Sequence, residues 1–252
     1  MEAIVRFRSS GYEGYGIQSG ETVVETGSLE AETRGGTHRL AEVTLLAPCL
    51  PSKIVCVGRN YVDHAKELGN QPPAEPMIFL KPPSSIIAGG EAIVYPKLTT
   101  NLHFEGELGV VIGKRGRHVA EADAMDIVYG YTCVNDVTAR DLQRKDGQWT
   151  RGKGFDTFCP FGPVIVPRDR VRLEDVRVRT LLDGEVKQDA PVSDMIFSVP
   201  FVIAFVTAFL TLEPGDLIAT GTPAGVGSMF PGQVVTVEVS TVGTLSNPIV
   251  AE

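Results

Sequence analysis

Glycine, proline and aspartate fall so often along this chain that its apolar stretches are too short for helices of ordinary length, and this limits the fold more than any other feature. AIVRFR, TVVET, KIVCVG, PMIFL, AIVYP, ELGVVIG, FGPVIV, VRVRTLLDG and VVTVEVS all read as strands bounded by turn residues. One apolar run, residues 199 to 212, is long enough for a helix, and the sequence predicts it from Ser198 to Leu212. Ser198 is the expected N-cap, Pro200 lies in the first turn and Pro214-Gly215 is the stop. The expected fold is mostly β with few helices. Without regular alternation of strand and helix, a Rossmann or TIM-barrel fold is argued against.

Residues 1–48 read as a small β-rich N-terminal unit, ended by the proline pair of Ala47-Pro48-Cys49-Leu50-Pro51, and residues 49–252 as the main domain. The 252 residues suffice for a substantial core. A net charge of −8, a pI near 5.1 and the absence of a basic cluster with interleaved aromatics leave no footprint for nucleic acid. Cys49, Cys56, Cys133 and Cys159 form no CxxC pair, so reduced thiols in a cytoplasmic protein are expected. MEAIVRFRSS lacks the apolar core of a signal peptide, and residues 199–212 are too few to span a bilayer, so no membrane partner is expected.

HFEGELGVVIG, residues 103–113, sets Glu105 and Glu107 two apart, on one face if the run is extended. Like charges so close need either water at an exposed edge or a cation between them. For carboxylates at large, solvation is the commoner answer. In RNYVDHAKELGNQ, His64 and Glu67 stand three apart, the spacing of neighbours on one face of a short helix. The same polar, glycine-bearing stretch, Arg59 to Gln71, is expected to act as a lid closed by ligand.

GRNYVDHAKE, IFLKP, HFEGELGVVIG, NDVTARDLQ, RGKGFD and LIATGTPAGVG, in this order, resemble the fumarylacetoacetate hydrolase family over roughly residues 50 to 250. The resemblance implies a mixed β-roll or sandwich, a homodimer and a divalent metal. It makes Glu105, Glu107 and Asp136 the metal ligands, an oxygen set suited to Mg²⁺ or Mn²⁺. His64 and Glu67 match the family's catalytic dyad, in which the carboxylate orients the imidazole as a base. Lys153 matches the active-site lysine, placed to offset the carboxylates and bind developing negative charge. Arg140, Gln143, Thr222 and Lys81 match or adjoin substrate-contacting positions. For Arg140 a salt bridge to Asp141 or Asp146 is the alternative, and for the loop bearing Thr222 a plain tight turn. His103 is assigned a packing or supporting role, because imidazole is a poorer partner for a hard cation. The site as a whole is expected to be a surface pocket rather than core.

The implied function is a metal-dependent hydrolase or decarboxylase acting on C–C bonds of small 2-oxo or 2,4-dioxo acids, of the acylpyruvate or oxaloacetate type, through a metal-stabilised enolate. The alternative is a 2-hydroxyhepta-2,4-diene-1,7-dioate isomerase or decarboxylase, suggested by the short N-terminal extension. A non-catalytic dicarboxylate-binding protein is a third reading, weakened by the presence of a base that a binder does not need.

Overall fold

The computed structural model describes residues 2–29, 34–67 and 69–252. Its strands form three sheets of twelve, five and three members among the described residues. The largest runs, edge to edge, through Arg34–Arg39, Thr22–Thr26, Glu13–Ser19, Glu2–Arg8, Cys159–Pro167, Val128–Asn135, Gly106–Ile112, Leu217–Ala219, Ile54–Gly58 and Met77–Lys81. Thr44–Leu46 and Ile86–Ile87 pair beside this path. The N-terminal strands thus extend the main sheet, joined to it where Ile4 pairs with Ile165. The fold is mostly β, in keeping with the sequence.

Gly106–Ile112 is central because every residue of it is buried, on both faces. Leu108, Val110 and Ile112 join Val178, Val237 and Val239 of the five-stranded sheet, whereas Val111 joins Ile54, Val134, Leu217 and Phe161 on the other side. A strand covered on both faces reads as a continuous apolar run, as GELGVVIG does. Each such side chain contributes about 1.5–3 kcal/mol on burial, so the strand that begins beside the paired glutamates is among the most firmly held. Gly106 is needed at its start for a close approach, since a Cβ there would lie 2.0 Å from Thr180 Oγ1.

Among the described residues, four α-helices interrupt the strands: α1 (Val62–Glu67), α2 (Arg140–Asp146), α3 (Thr150–Lys153) and α4 (Val199–Thr207). Ser198 caps α4 by accepting from the Phe201 N–H, and Pro200 lies in its first turn, as expected. The helix ends at Thr207, five residues before the predicted Leu212. Arg117 donates to the carbonyls of Thr207 (2.6 Å) and Ala208 (2.7 Å), and Leu212 leaves the helical path to pair with Gly116. These tertiary bonds stop the helix before Pro214-Gly215 can. Among the described residues, no helix is long and apolar enough to cross a membrane. The four cysteines are free and buried, and burial pushes the thiols of Cys49, Cys133 and Cys159 up to about 12, which leaves them unreactive.

Candidate active site

Register builds the centre of the site. Gly106 pairs with Asn135, so Glu105 and Glu107 flank the point at which the neighbouring strand ends and Asp136 begins the turn. Asn135 Oδ1 accepts from the Glu105 N–H (3.0 Å), and the Asp136 N–H donates to the Glu105 carbonyl (2.8 Å). The two segments are locked together one residue from each carboxylate. One oxygen from each of Glu105, Glu107 and Asp136 lies within 4.8 Å of the others. The three residues are only 4%, 2% and 1% exposed, which rules out simple solvation at an edge. They are core-deep rather than at the surface, a correction to expectation: the central strand carries them inside.

Buried carboxylates require partners. Lys153 Nζ donates to Glu105 Oε2 (2.7 Å) and Asp136 Oδ2 (2.6 Å), Arg140 Nη2 donates to Glu105 Oε1, and Lys81 Nζ donates to Asp136 Oδ1. Burial alone would raise the Glu105 carboxyl, but Lys153 and Arg140 outweigh it and hold it well below the usual range. Burial likewise opposes the charge of Lys153, yet Asp136 and Glu105 prevail and its ammonium is held above its ordinary value. Glu107 differs. It accepts from the Gly221 N–H at 2.8 Å, and burial, with Asp136 and Glu105 close by, raises its carboxyl well above the ordinary value. Gly221 makes that contact at φ +104°, where a Cβ would meet Asn60 Cβ at 2.6 Å. Three convergent hard oxygens, one of them without a cationic side chain, fit a divalent ion.

Helix α1 carries the expected dyad, with His64 Nδ1 3.3 Å from Glu67 Oε2. A carboxylate can only accept, so Nδ1 is the protonated nitrogen and Nε2 keeps its lone pair. Burial lowers the His64 pKa, against the pull of Glu105 and Glu67, so the ring is neutral near pH 7. Glu67 also accepts from the Gly225 N–H (3.1 and 3.2 Å), tying the dyad to the loop that bears Thr222.

A pocket of about 320 Å³ unites these groups; its wall includes His64, Glu105, Glu107, Asp136, Arg140, Gln143, Lys153 and Thr222. That volume is at the small end of the range for ligand sites. Arg140 and Gln143 share one face of α2, a helix the sequence reading did not foresee, and Arg140 Nη1 donates to Gln143 Oε1 (2.7 Å). Asp141 and Asp146, the alternative partners of Arg140, bind Thr99 and Arg151 instead. The Thr222 hydroxyl donates to the Gly106 carbonyl (2.9 Å), so its proton is committed. Lys81 is absent from the pocket wall: its fully buried ammonium lies behind Asp136 and also donates to the Val137 carbonyl (3.1 Å). The reason is its place at the end of the edge strand Met77–Lys81, which feeds it into the core. His103 is not among the convergent ligands; it pairs with Asn101 Oδ1 (2.9 Å), and burial with Arg140 nearby lowers its pKa to about 4.

Residues the sequence reading passed over complete the site. Gln188, from the five-stranded sheet, accepts from the Gly106 N–H (3.1 Å) and donates to Thr222 Oγ1 and the Pro223 carbonyl (2.7 Å each), bracing the glutamate pair against the Thr222 loop. EVKQDAP offers no local signal of this, because the contact is made between sheets. Arg59, Phe79 and Trp149 also line the pocket.

Residues 53–250 match the family model described as fumarylacetoacetate (FAA) hydrolase C-terminal, and residues 3–48 match Rv2993c-like, N-terminal. Oxaloacetate tautomerase YisK of Bacillus subtilis is 45% identical over 225 residues, covering 84% of this chain and 75% of that protein. The mitochondrial oxaloacetate decarboxylase of Dictyostelium discoideum is 49% identical over 189 residues, covering 73% of this chain and 86% of its own. The crystal structure of 2-hydroxyhepta-2,4-diene-1,7-dioate isomerase from Mycobacterium marinum superposes with a TM-score of 0.92 at 42% identity, covering 100% of this chain and 99% of that one.

Proposed function

This chain belongs to the fumarylacetoacetate hydrolase family, and from that premise we propose that it is an enzyme acting on a small 2-oxo dicarboxylic acid of the oxaloacetate type, through a 2-oxo-acid enolate, formed by loss of a proton in tautomerisation or of CO₂ in decarboxylation. The observation that carries the reading is the meeting, in one small pocket, of three convergent carboxylates with a neutral histidine backed by a carboxylate. Relatives named as a tautomerase and a decarboxylase of oxaloacetate support it. Both chemistries place negative charge on the oxygen of a 2-oxo acid.

Glu105, Glu107 and Asp136 would hold Mg²⁺ or Mn²⁺, which supplies Lewis acidity at the 2-oxo-acid end. The chain's own residues do the rest. In the keto-to-enol direction, Nε2 of His64 takes a proton from the carbon next to the ketone, and Glu67 stabilises the imidazolium that forms. The same nitrogen returns the proton to the enol oxygen. Lys153 and Arg140 lie against Glu105 at the developing charge and favour the enolate. Gln143, whose carbonyl is taken by Arg140, keeps its amide N–H groups for substrate oxygens.

Acylpyruvate hydrolysis would use the same base on a water molecule, and isomerisation of a dienol would move the proton further along the chain. A Mg²⁺- or Mn²⁺-supplemented assay of oxaloacetate, acetylpyruvate and 2-hydroxyhepta-2,4-diene-1,7-dioate separates the three. We expect kcat/KM for oxaloacetate, by enol–keto exchange or CO₂ release, to exceed that for either other acid at least about tenfold. Preference for acetylpyruvate, or no turnover of any oxo acid, would overturn the reading.

A further inference from the structure

We propose that Arg59 binds the far carboxylate of the substrate and makes the site selective for dicarboxylates over 2-oxo acids that end in an uncharged group. This inference rests on the function proposed above and assigns the substrate class through a residue outside the carboxylate cluster and the dyad.

The first support is charge. Glu105 and Asp136 are matched by Lys81, Lys153 and Arg140, all committed to them by hydrogen bonds. Arg59 lines the same pocket, yet no carboxylate among the described residues pairs with it, and its Nε is buried without a hydrogen-bond partner. A buried donor left unmet costs stability unless something fills the place. The guanidinium therefore lies uncommitted on the wall of a pocket in which Glu105 and Asp136 already have cationic partners.

The second support is aim. Arg59 sits at φ +58°, an unfavourable conformation for a side-chain-bearing residue that persists only where its surroundings impose it. The cause is Asn60, next in the chain and fully buried. Its amide donates to the carbonyls of Phe197 (3.0 Å) and Thr220 (2.8 Å), and its carbonyl accepts from the Phe197 N–H (2.8 Å). With Gly58 ending the preceding strand, Arg59 has nowhere to relax. Its guanidinium lies over the Trp149 ring, 5.8 Å from the centroid, and that ring in turn meets Phe79 edge-on at 5.2 Å. A Cβ at Gly58 would come within 2.6 Å of the same ring. A guanidinium held over a ring face still has its N–H fork free to pair with a carboxylate. Arg144 also lines the pocket but is exposed, where a charge contributes little.

Trp149 is the sole tryptophan, so its emission reports directly on ligands that reach Arg59. Malate and lactate share a 2-hydroxy-acid end and differ in the far carboxylate, and neither has the ketone the reaction needs. Titrated by fluorescence in the presence of Mn²⁺, wild type should bind malate roughly 10- to 100-fold more tightly than lactate, the scale of a charge-assisted hydrogen bond. Arg59→Met should erase that preference while leaving lactate affinity and thermal melting unchanged, Arg59→Lys should restore it only in part, and Arg144→Met should keep it. KM for oxaloacetate should rise with Arg59→Met by a similar factor. Equal affinity for malate and lactate in wild type, or an undiminished preference in Arg59→Met, would overturn the inference. An Arg59-dependent preference in a protein that turns over no oxaloacetate would uphold it and sink the catalytic reading instead.

Discussion

Replacing Lys153 by Met should destabilise the metal-free protein far more than the metal-loaded one. The ammonium of Lys153 holds two buried carboxylates at once, at 2.7 and 2.6 Å. Removing one partner of a buried ion pair costs about 3–5 kcal/mol. The alternative, protonating an ordinary carboxylate at pH 7, costs about 1.36 kcal/mol per pH unit over roughly three units, or about 4 kcal/mol, so the two routes agree. At about 2–4 °C per kcal/mol for a chain of this size, the melting temperature in EDTA should fall by roughly 6–20 °C. Methionine keeps the unbranched stem and its contact with the Phe79 ring, over which Nζ lies 4.9 Å from the centroid, so the change tests charge more than packing. Saturating Mn²⁺ would restore positive charge to the same carboxylates and should close most of the gap. Differential scanning fluorimetry of both proteins with EDTA and with Mn²⁺ gives the four melting points needed. A loss of equal size in both conditions would show that Lys153 does not act by neutralising the carboxylates, and no loss in EDTA would refute the buried-pair reasoning altogether.

Three other perturbations test different parts of the site. His64→Ala should lower oxaloacetate tautomerisation about 10²-fold or more, and because the imidazole titrates below its ordinary value, the acid limb of kcat in wild type should lie below about pH 6.5; a limb above that value would contradict the burial argument. Burial, with Asp136 and Glu105 close by, raises the Glu107 carboxyl above its ordinary value, so in metal-free protein its contribution to stability is fully present below the unfolded value of about 4.3 and is lost as pH rises through the raised folded value. Glu107→Gln should abolish that decline in pH-dependent melting and weaken Mn²⁺ binding measured by calorimetry. Asn60→Ala strands the Phe197 N–H and the Phe197 and Thr220 carbonyls, at about 1–3 kcal/mol for each unmet group; a chemical denaturation midpoint equal to wild type would show that these bonds do not hold the segment.

Much of this was readable in the chain itself, and what was not has physical reasons. Period and punctuation identify a strand such as GELGVVIG because its residues answer to local burial, and an ordered set of short motifs places Glu105, Glu107 and Asp136 together before any coordinates do. The limits appear where partners lie far apart in sequence. Nothing in VTAFLTL signals that Arg117 will stop α4 at Thr207. ARDLQRKD carries helix formers, but its span is too short for an apolar period to stand out. Lys81 matches a motif yet faces Asp136 from behind, because only the sheet order decides which side of a carboxylate a lysine reaches. Gln188, Arg59 and Asn60 owe their places to contacts between sheets, to an enforced backbone angle and to a buried amide, none of which has a spacing to read.

Helix α1 is hung unequally at its two ends. Before it, Asn60 is riveted through side chain and backbone to Phe197, Thr220 and Ile196, all inside the protein. At the other end of the helix, Glu67 accepts from the N–H of Gly225, shared between its two oxygens. A door so hung has its hinge at Asn60 and its latch at Glu67. Swinging it would carry His64 away from the three carboxylates while leaving Arg59 in place, so the base would come and go as the binding wall stays fixed. Amide exchange should then be faster at the Glu67 end of α1 than at Asn60, and Glu67→Ala, which removes the latch carboxylate, should widen that difference; uniform exchange along the segment would mean the door does not open.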